Sequence, residues 1–322
     1  MRYGFYDRLT EEFPSQINVD LIDLCNYACI HCPYSMLAQK GELKSARLSP
    51  ELNRKLVDEV REYGVGKTQQ IRYTANGEPF LHPDIMDILG YAVKNSGVFV
   101  SVTTNGSMVD EKKSTKLLEM GLGLIDFSLD AYSDQTYQEI RLHGQLEKVR
   151  NNILFMLRKK KEGNYKTRIV VSFVVQEKNE QEKADFERYW KEQGVDYVIF
   201  RQLHSAGGRM FHAEKKGDIQ PCVYPWERIC LNDKGKLNFC PNAWDRDVPN
   251  FDYDYADCTI HELWNSEVYA TLRREHLNSQ FEQFPYCADC PDRAGTIWPA
   301  DKTESLRGYG DMIADFTKED ET

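Results

Sequence analysis

Three cysteines, Cys25, Cys29 and Cys32, stand in the spacing CxxxCxxC within Asp23-Leu24-Cys25-Asn26-Tyr27-Ala28-Cys29-Ile30-His31-Cys32. Thiolates ligate iron–sulfur clusters, and a closed electron-transfer cube takes four of them. Three on one short loop leave one iron open to a substrate or cosubstrate. Zinc is the plain alternative, but zinc sites usually build on CxxC pairs and need a fourth ligand. His31 could be that ligand only by reaching in from between two thiolates. A disulfide fits poorly. The nine cysteines are an odd number, and Met1-Arg2-Tyr3-Gly4 leads straight into polar sequence without a signal peptide.

The elements that must hold this loop alternate between strand and helix from about residue 16 to residue 203. Ile17-Asn18-Val19-Asp20-Leu21 alternates and runs into the loop. Further strands are expected at 70–74, 98–102, 124–129, 168–175 and 197–201. Ser49-Pro50-Glu51 starts a helix, with a cap followed by Pro at the first helical position. Another helix starts after Pro83-Asp84, one ends at Gly121, and a long helical stretch breaks near Gly144. The last helix packs Phe186 and Trp190 and ends at Gly194. Such alternation predicts right-handed βαβ units and a parallel α/β sheet. Six units are too few for an eight-fold barrel and suit an open partial (β/α)6 barrel. Barrel sites lie at the C-terminal strand ends, where the cysteine loop, Glu78-Pro79, Asn105, Asp130 and Arg201 all fall.

From about residue 215 helix periodicity fades, and six of the nine cysteines appear. The expected organisation is a barrel over 1–206, a small irregular α+β domain over 207–300 and a polar tail over 301–322.

The cysteine loop, with an aromatic ring just before its last thiol, resembles that of the radical S-adenosylmethionine (SAM) enzymes. The resemblance implies a 4Fe–4S cluster on Cys25, Cys29 and Cys32, whose open iron holds the amino and carboxylate groups of SAM. Asn76-Gly77-Glu78-Pro79 looks like the family's GEP motif, which places Gly77, Glu78 and Pro79 at the SAM amino group. By the same resemblance Ser128 and Arg141 meet the SAM carboxylate and ribose, beside Asp130. His31 would lie near the adenine and Ser172 near the ribose. Arg141 suits a bidentate carboxylate contact. Asn105, in Thr104-Asn105-Gly106, is a candidate for SAM and equally a turn residue.

Cys222, Gly235 and Cys240 in the pattern Cys-x12-Gly-x4-Cys, followed by Cys287-Ala288-Asp289-Cys290, resemble the auxiliary-cluster module called SPASM in its shortened twitch form. No cysteine follows Cys290, so a second SPASM cluster has no ligands. Cys222, Cys240, Cys287 and Cys290 make a complete four-thiolate set for one auxiliary 4Fe–4S cluster. A zinc ribbon uses similar ligands. Gly235 would form a hairpin turn between the first two. Cys230 and Cys258 remain, as buried small apolar residues, as thiol hydrogen donors or as an extra ligand. The layout is similar to that of the butirosin-pathway type of aminocyclitol dehydrogenase, a twitch enzyme that oxidises a secondary alcohol.

The resemblance implies a SAM-dependent dehydrogenase that abstracts hydrogen from a small polar, carbohydrate-like substrate. An auxiliary cluster would accept an electron, and a flavodoxin or ferredoxin would supply reducing equivalents. Arg201 polarising a hydroxyl, with His204 close behind, stands at the substrate end. The alternatives are an epimerase or peptide modifier that uses Cys230 or Cys258 as hydrogen donor, and a non-catalytic iron–sulfur or zinc scaffold. Lys and Arg number 41 against 51 Asp and Glu, a net charge of −10, which argues against nucleic-acid partners. No apolar run approaches transmembrane length, so no membrane partner is expected. The clustered free thiols point to a reducing cytoplasm.

Overall fold

The computed structural model describes residues 12–41, 45–74, 76–203, 221–242 and 251–295. Its strands are β1 Gln16–Asp20, β2 Ala28–Cys29, β3 Gln70–Thr74, β4 Phe99–Thr104, β5 Leu124–Ser128, β6 Arg141–Leu142, β7 Arg168–Val175, β8 Tyr197–Gln202, β9 Arg228–Leu231, β10 Lys236–Asn238 and β11 Tyr253–Asp254. Nine of them form one sheet in the order β11-β10-β9-β1-β3-β4-β5-β7-β8, while β2 pairs with β6. The run from β9 through β1 to β8 is parallel throughout. Strands β10 and β11 extend it as an antiparallel ribbon. This is the expected parallel α/β architecture, with its barrel strands in sequential order.

Alternation along each strand decides which face is which. Ile17, Val19, Ile71, Tyr73, Val102, Ile125, Phe127, Ile169, Val171 and Phe173 are wholly buried. They face helices. Tyr73 Oη donates to Asn53 Oδ1 (2.6 Å) on α2, Pro50–Glu59, and Phe173 packs edge-on against Phe186 (4.8 Å) on α7, Lys183–Gln193. Burying one such aliphatic or aromatic side chain contributes about 1.5–3 kcal/mol. The opposite face is polar. Gln70 Nε2 donates to Gln16 Oε1 (3.1 Å), Ser101 Oγ to Gln70 Oε1 (3.1 Å) and Arg72 Nη2 to Thr103 Oγ1 (3.1 Å). A register slip of one residue would push these polar groups into the helix layer.

Helix α1 spans Pro33–Lys40, α3 Ile85–Asn95, α4 Glu111–Glu119, α5 Asp134–Ile140 and α6 Leu146–Gly163. Ser49 caps α2 by accepting the Leu52 N–H (3.2 Å), and Pro50 takes the first helical position. The break near Gly144 is real and is filled by β6. A Cβ on Gly144 would lie 2.6 Å from the Tyr137 ring and 2.8 Å from the Arg141 carbonyl oxygen. The expected boundary at 207–217 and the tail from 301 lie outside the described residues. Strands β9, β10 and β11 extend the barrel's own sheet, with β9 paired to β1. Among the described residues, no helix is long and apolar enough to cross a membrane.

Candidate active site

The cysteine loop leaves β1 and is fastened by three neighbouring units. The Leu24 carbonyl accepts the Glu78 N–H (2.7 Å). Gly77 lies so close that a Cβ there would sit 2.1 Å from the Leu24 oxygen and 2.7 Å from that of Ile22. Asn105 Nδ2 donates to Asn26 Oδ1 (3.0 Å), and Asn26 Nδ2 donates to Ser107 Oγ (2.9 Å). Backbone pairing of Cys29 with Arg141, and the Ile30 N–H on the Ile140 carbonyl (3.0 Å), tie the loop to the end of α5. Within the loop the Cys25 N–H donates to Tyr34 Oη (2.8 Å). The residues after β3, after β4 and at the end of α5 therefore converge on one loop.

Glu78 is buried and held by three donors. Its carboxylate accepts Thr104 Oγ1–H (2.6 Å), the Asn105 N–H (2.8 Å) and the Phe80 N–H (3.1 Å). Burial pushes its pKa up, and those three donors oppose the rise. Pro79 opens the short 3-10 turn Pro79–Leu81 that Glu78 caps.

Asp130, just after β5, adopts a left-handed φ of +62° and is wholly buried. Its Oδ2 accepts Arg141 Nη2 (2.6 Å) and Nε (3.0 Å) and lies 3.4 Å from His31 Nε2. Its Oδ1 accepts the Val174 N–H (2.7 Å). Burial works to raise the Asp130 pKa, but Arg141, His31 and the Val174 N–H together carry it below the usual carboxylate range. Arg141 Nη1 also lies 3.9 Å from Cys29 Sγ. Burial pushes the Cys25 and Cys29 thiols up to about 12. A coordinating metal removes such protons outright.

Ser128 and Ser172 stand side by side in the β5–β7 register. Arg201, on β8, donates through Nη2 to Asp126 Oδ2 (2.6 Å) inside the barrel. His204 lies outside the described residues. The lumen carboxylates Asp20 and Asp126 belong to no spacing motif, and the signal that finds them is the polar alternation of β1 and β5. Asp126 Oδ1 is buried and has no hydrogen-bond partner among the described residues. Asp233, at the tip of the β9–β10 turn, faces Asp20. Burial and then the Asp233 charge raise the Asp20 pKa to about 7, against the pull of Arg72. Cys230 is in register with Asn18 of β1. Cys258 Sγ instead donates to the Asp254 carbonyl (3.2 Å) at the sheet's far edge.

Cys222, Cys240, Cys287 and Cys290 line one cavity of about 210 Å³. Gly235, at φ +79°, turns the chain between β9 and β10 and so brings Cys240 back towards Cys222. Burial pushes Cys222 up to about 12 and raises Cys240 well above the usual thiol range. Among the described residues, no three His, Cys, Asp or Glu side chains are close enough to share a single metal ion.

The sequence profile of the Radical SAM superfamily matches residues 19–186, which hold the cysteine loop and the strands and helices fastened to it. The chain belongs to the radical SAM superfamily. Membership implies SAM, a SAM-binding 4Fe–4S cluster and an external reductant. Among curated relatives, the tungsten-containing aldehyde ferredoxin oxidoreductase cofactor-modifying protein of Pyrococcus furiosus is 25% identical over 191 residues, 58% of this chain and 50% of that protein. The chain spans about half the length of the curated relatives it matches. Among solved structures, BtrN in complex with AdoMet and 2-DOIA aligns with a TM-score of 0.58 at 16% identity, covering 87% of this chain and 94% of BtrN. SuiB of Streptococcus suis bound to precursor peptide SuiA aligns with a TM-score of 0.65 at 12% identity, covering 84% of this chain and 69% of SuiB. At these identities the radical SAM fold is what is shared.

Proposed function

We propose that this radical SAM enzyme is a two-cluster oxidoreductase that turns a secondary alcohol of a small, carbohydrate-like substrate into a ketone. The observation that carries this reading is the single cavity lined by Cys222, Cys240, Cys287 and Cys290. Zinc with bonds of about 2.3 Å draws its thiolates to within roughly 4 Å of each other. Around a cube each thiolate takes its own iron, and four thiolates complete a 4Fe–4S cluster, which suits four cysteines lining one cavity.

On this reading Cys25, Cys29 and Cys32 hold the SAM cluster, and the four later cysteines hold the auxiliary one. When bound, SAM and its cluster supply a 5′-deoxyadenosyl radical, and the auxiliary cluster supplies an electron-accepting centre. The chain's residues do the rest. Glu78, held by three donors, fixes Gly77 and Pro79 under the loop and presents its remaining lone pair to the SAM amino group. Asp130 orients Arg141 and His31 towards the SAM carboxylate and adenine. Asn105, Ser128 and Ser172 complete the cradle. Arg201 polarises the substrate hydroxyl, and Asp126 Oδ1 beside it accepts the hydroxyl proton. The substrate gives up one hydrogen atom, one proton and one electron in becoming a ketone.

The test is an iron count with SAM turnover. Two 4Fe–4S clusters give about eight iron atoms per reconstituted chain. A Cys287→Ala, Cys290→Ala variant should fall to about four and still cleave SAM to 5′-deoxyadenosine. An unchanged count would sink the second cluster.

One observation favours a different fate for the substrate radical. Cys230 faces the lumen next to Asn18 and Asp20, where a thiol can return a hydrogen atom. Epimerisation would then place solvent deuterium in the product without net oxidation, and Cys230→Ala would abolish it.

A further inference from the structure

Two adjacent residues near the end of the helix Glu267–Asn278 serve the four-cysteine cavity. Glu275 is buried, and its carboxylate accepts the Glu282 N–H (3.2 Å), the Gln283 N–H (2.8 Å) and the Phe284 N–H (3.0 Å). It thereby fixes the segment that leads to Cys287. His276 is 1% exposed and stands in the cavity wall. Its ring packs edge to face against Phe281 (5.0 Å) and Trp226 (6.3 Å). The Cys222 N–H donates to His276 Nδ1 (3.3 Å). A ring nitrogen that accepts carries no proton, so this imidazole bears its proton on Nε2. That second nitrogen has no hydrogen-bond partner among the described residues. Buried polar groups are almost always hydrogen-bonded. A donor in the wall of a cavity therefore calls for an acceptor inside it. Thiols are weak acceptors, whereas anionic sulfur accepts strongly.

We propose that His276 is a positioning residue for the auxiliary cluster, whose Nε2–H donates to a sulfur of the cluster that Cys222, Cys240, Cys287 and Cys290 would hold. This rests on the two-cluster reading. The bond from the Cys222 backbone fixes the tautomer, so a ligand residue itself keeps the donor in the form the cluster needs. Hydrogen bonds to the sulfurs help set a cluster's reduction potential. Reduction adds negative charge, and a fixed N–H donor favours the added charge. His276 thereby makes the auxiliary centre a better acceptor for the electron that alcohol oxidation releases.

The experiment compares wild type, His276→Gln and His276→Phe as reconstituted full-length protein, by iron content and by redox titration monitored by electron paramagnetic resonance. Gln can both accept and donate in place of the imidazole, whereas Phe fills the space and does neither. A wild-type count near four iron atoms would overturn the two-cluster reading, and this inference with it. With about eight iron atoms present, the variants test His276 alone. His276→Phe should then shift the auxiliary midpoint to more negative potential and leave the SAM cluster unmoved, and His276→Gln should recover most of the shift. Loss of auxiliary iron in the Phe variant but not in the Gln variant also supports the donor. Full iron with an unshifted auxiliary potential in His276→Phe overturns the proposal. So does an equal change in both variants, in potential or in iron, because packing alone predicts that.

Discussion

Gly77 is the residue where one added carbon does most damage. The atoms that its Cβ would meet are backbone atoms of Leu24 and Ile22, not side-chain ends that can swing away. Gly77→Ala should cost about 1–3 kcal/mol through overpacking and displace the loop that carries Cys25. Lower melting temperature and fewer iron atoms per chain would report it, and wild-type values for both would refute it. Asp20 makes a prediction about pH. Its folded pKa of about 7 stands above the ordinary carboxylate value of 3.8, so the folded chain keeps a proton that the unfolded chain releases. Stability from this group is full below the unfolded value and is lost as pH climbs towards 7. Asp20→Asn should therefore raise the melting temperature more at pH 8 than at pH 4, and a uniform shift would contradict this. The cysteines and Gly77 were legible because thiolate spacing and tight turns are local. Asp20 and Asp126 carry a signal only in the polar alternation of β1 and β5, which strand register must turn towards the lumen, and Asp233 in the β9–β10 turn carries none.

At the scale of elements, the loop's support depends on a cap borrowed from the next βα unit. Glu182, in the turn before α7, accepts the Tyr132 N–H (2.6 Å), the Ser133 N–H (3.1 Å) and Thr136 Oγ1–H (2.6 Å) at the start of α5. Glu182→Ala should cost about 1–2 kcal/mol, the worth of a helix cap. It should also speed amide hydrogen exchange at Ile30, whose N–H is tied to the end of α5. Unchanged exchange there would show that the loop is held without the cap. The strands 70–74 and 168–175 were readable to the residue, since β-branched runs between turn residues admit few registers. Helix α1 was missed. Pro33 is a fair start signal, but eight residues directly after a cysteine loop give too little periodicity to see.

At the scale of the whole molecule, β1 is an interior strand only because β9 lies against it. Four residue pairs join the two strands. Ending the chain at residue 203 would leave that edge of β1 open, and an open parallel edge invites pairing with other chains. Such a fragment should sediment as aggregates, and a monodisperse monomer would contradict the prediction. The parallel barrel could be foreseen from its alternating elements. The β9 pairing could not, because nothing local in Arg228–Leu231 says which distant strand it will join.

That pairing also sets an order in time. Ser15 and Glu227, which bond beside the β1–β9 seam, are separated by 212 positions. At 5–20 residues per second, a ribosome needs roughly 10–40 s to reach the second after the first. During synthesis the first three thiols and their barrel strands exist before the strand that covers β1 and before any of the last six. The emerging chain thus presents an open sheet edge beside the three-thiol loop, and the factors that guard nascent chains meet it in that state. The seam can close only once residue 231 has been made, and the last four cysteines follow it.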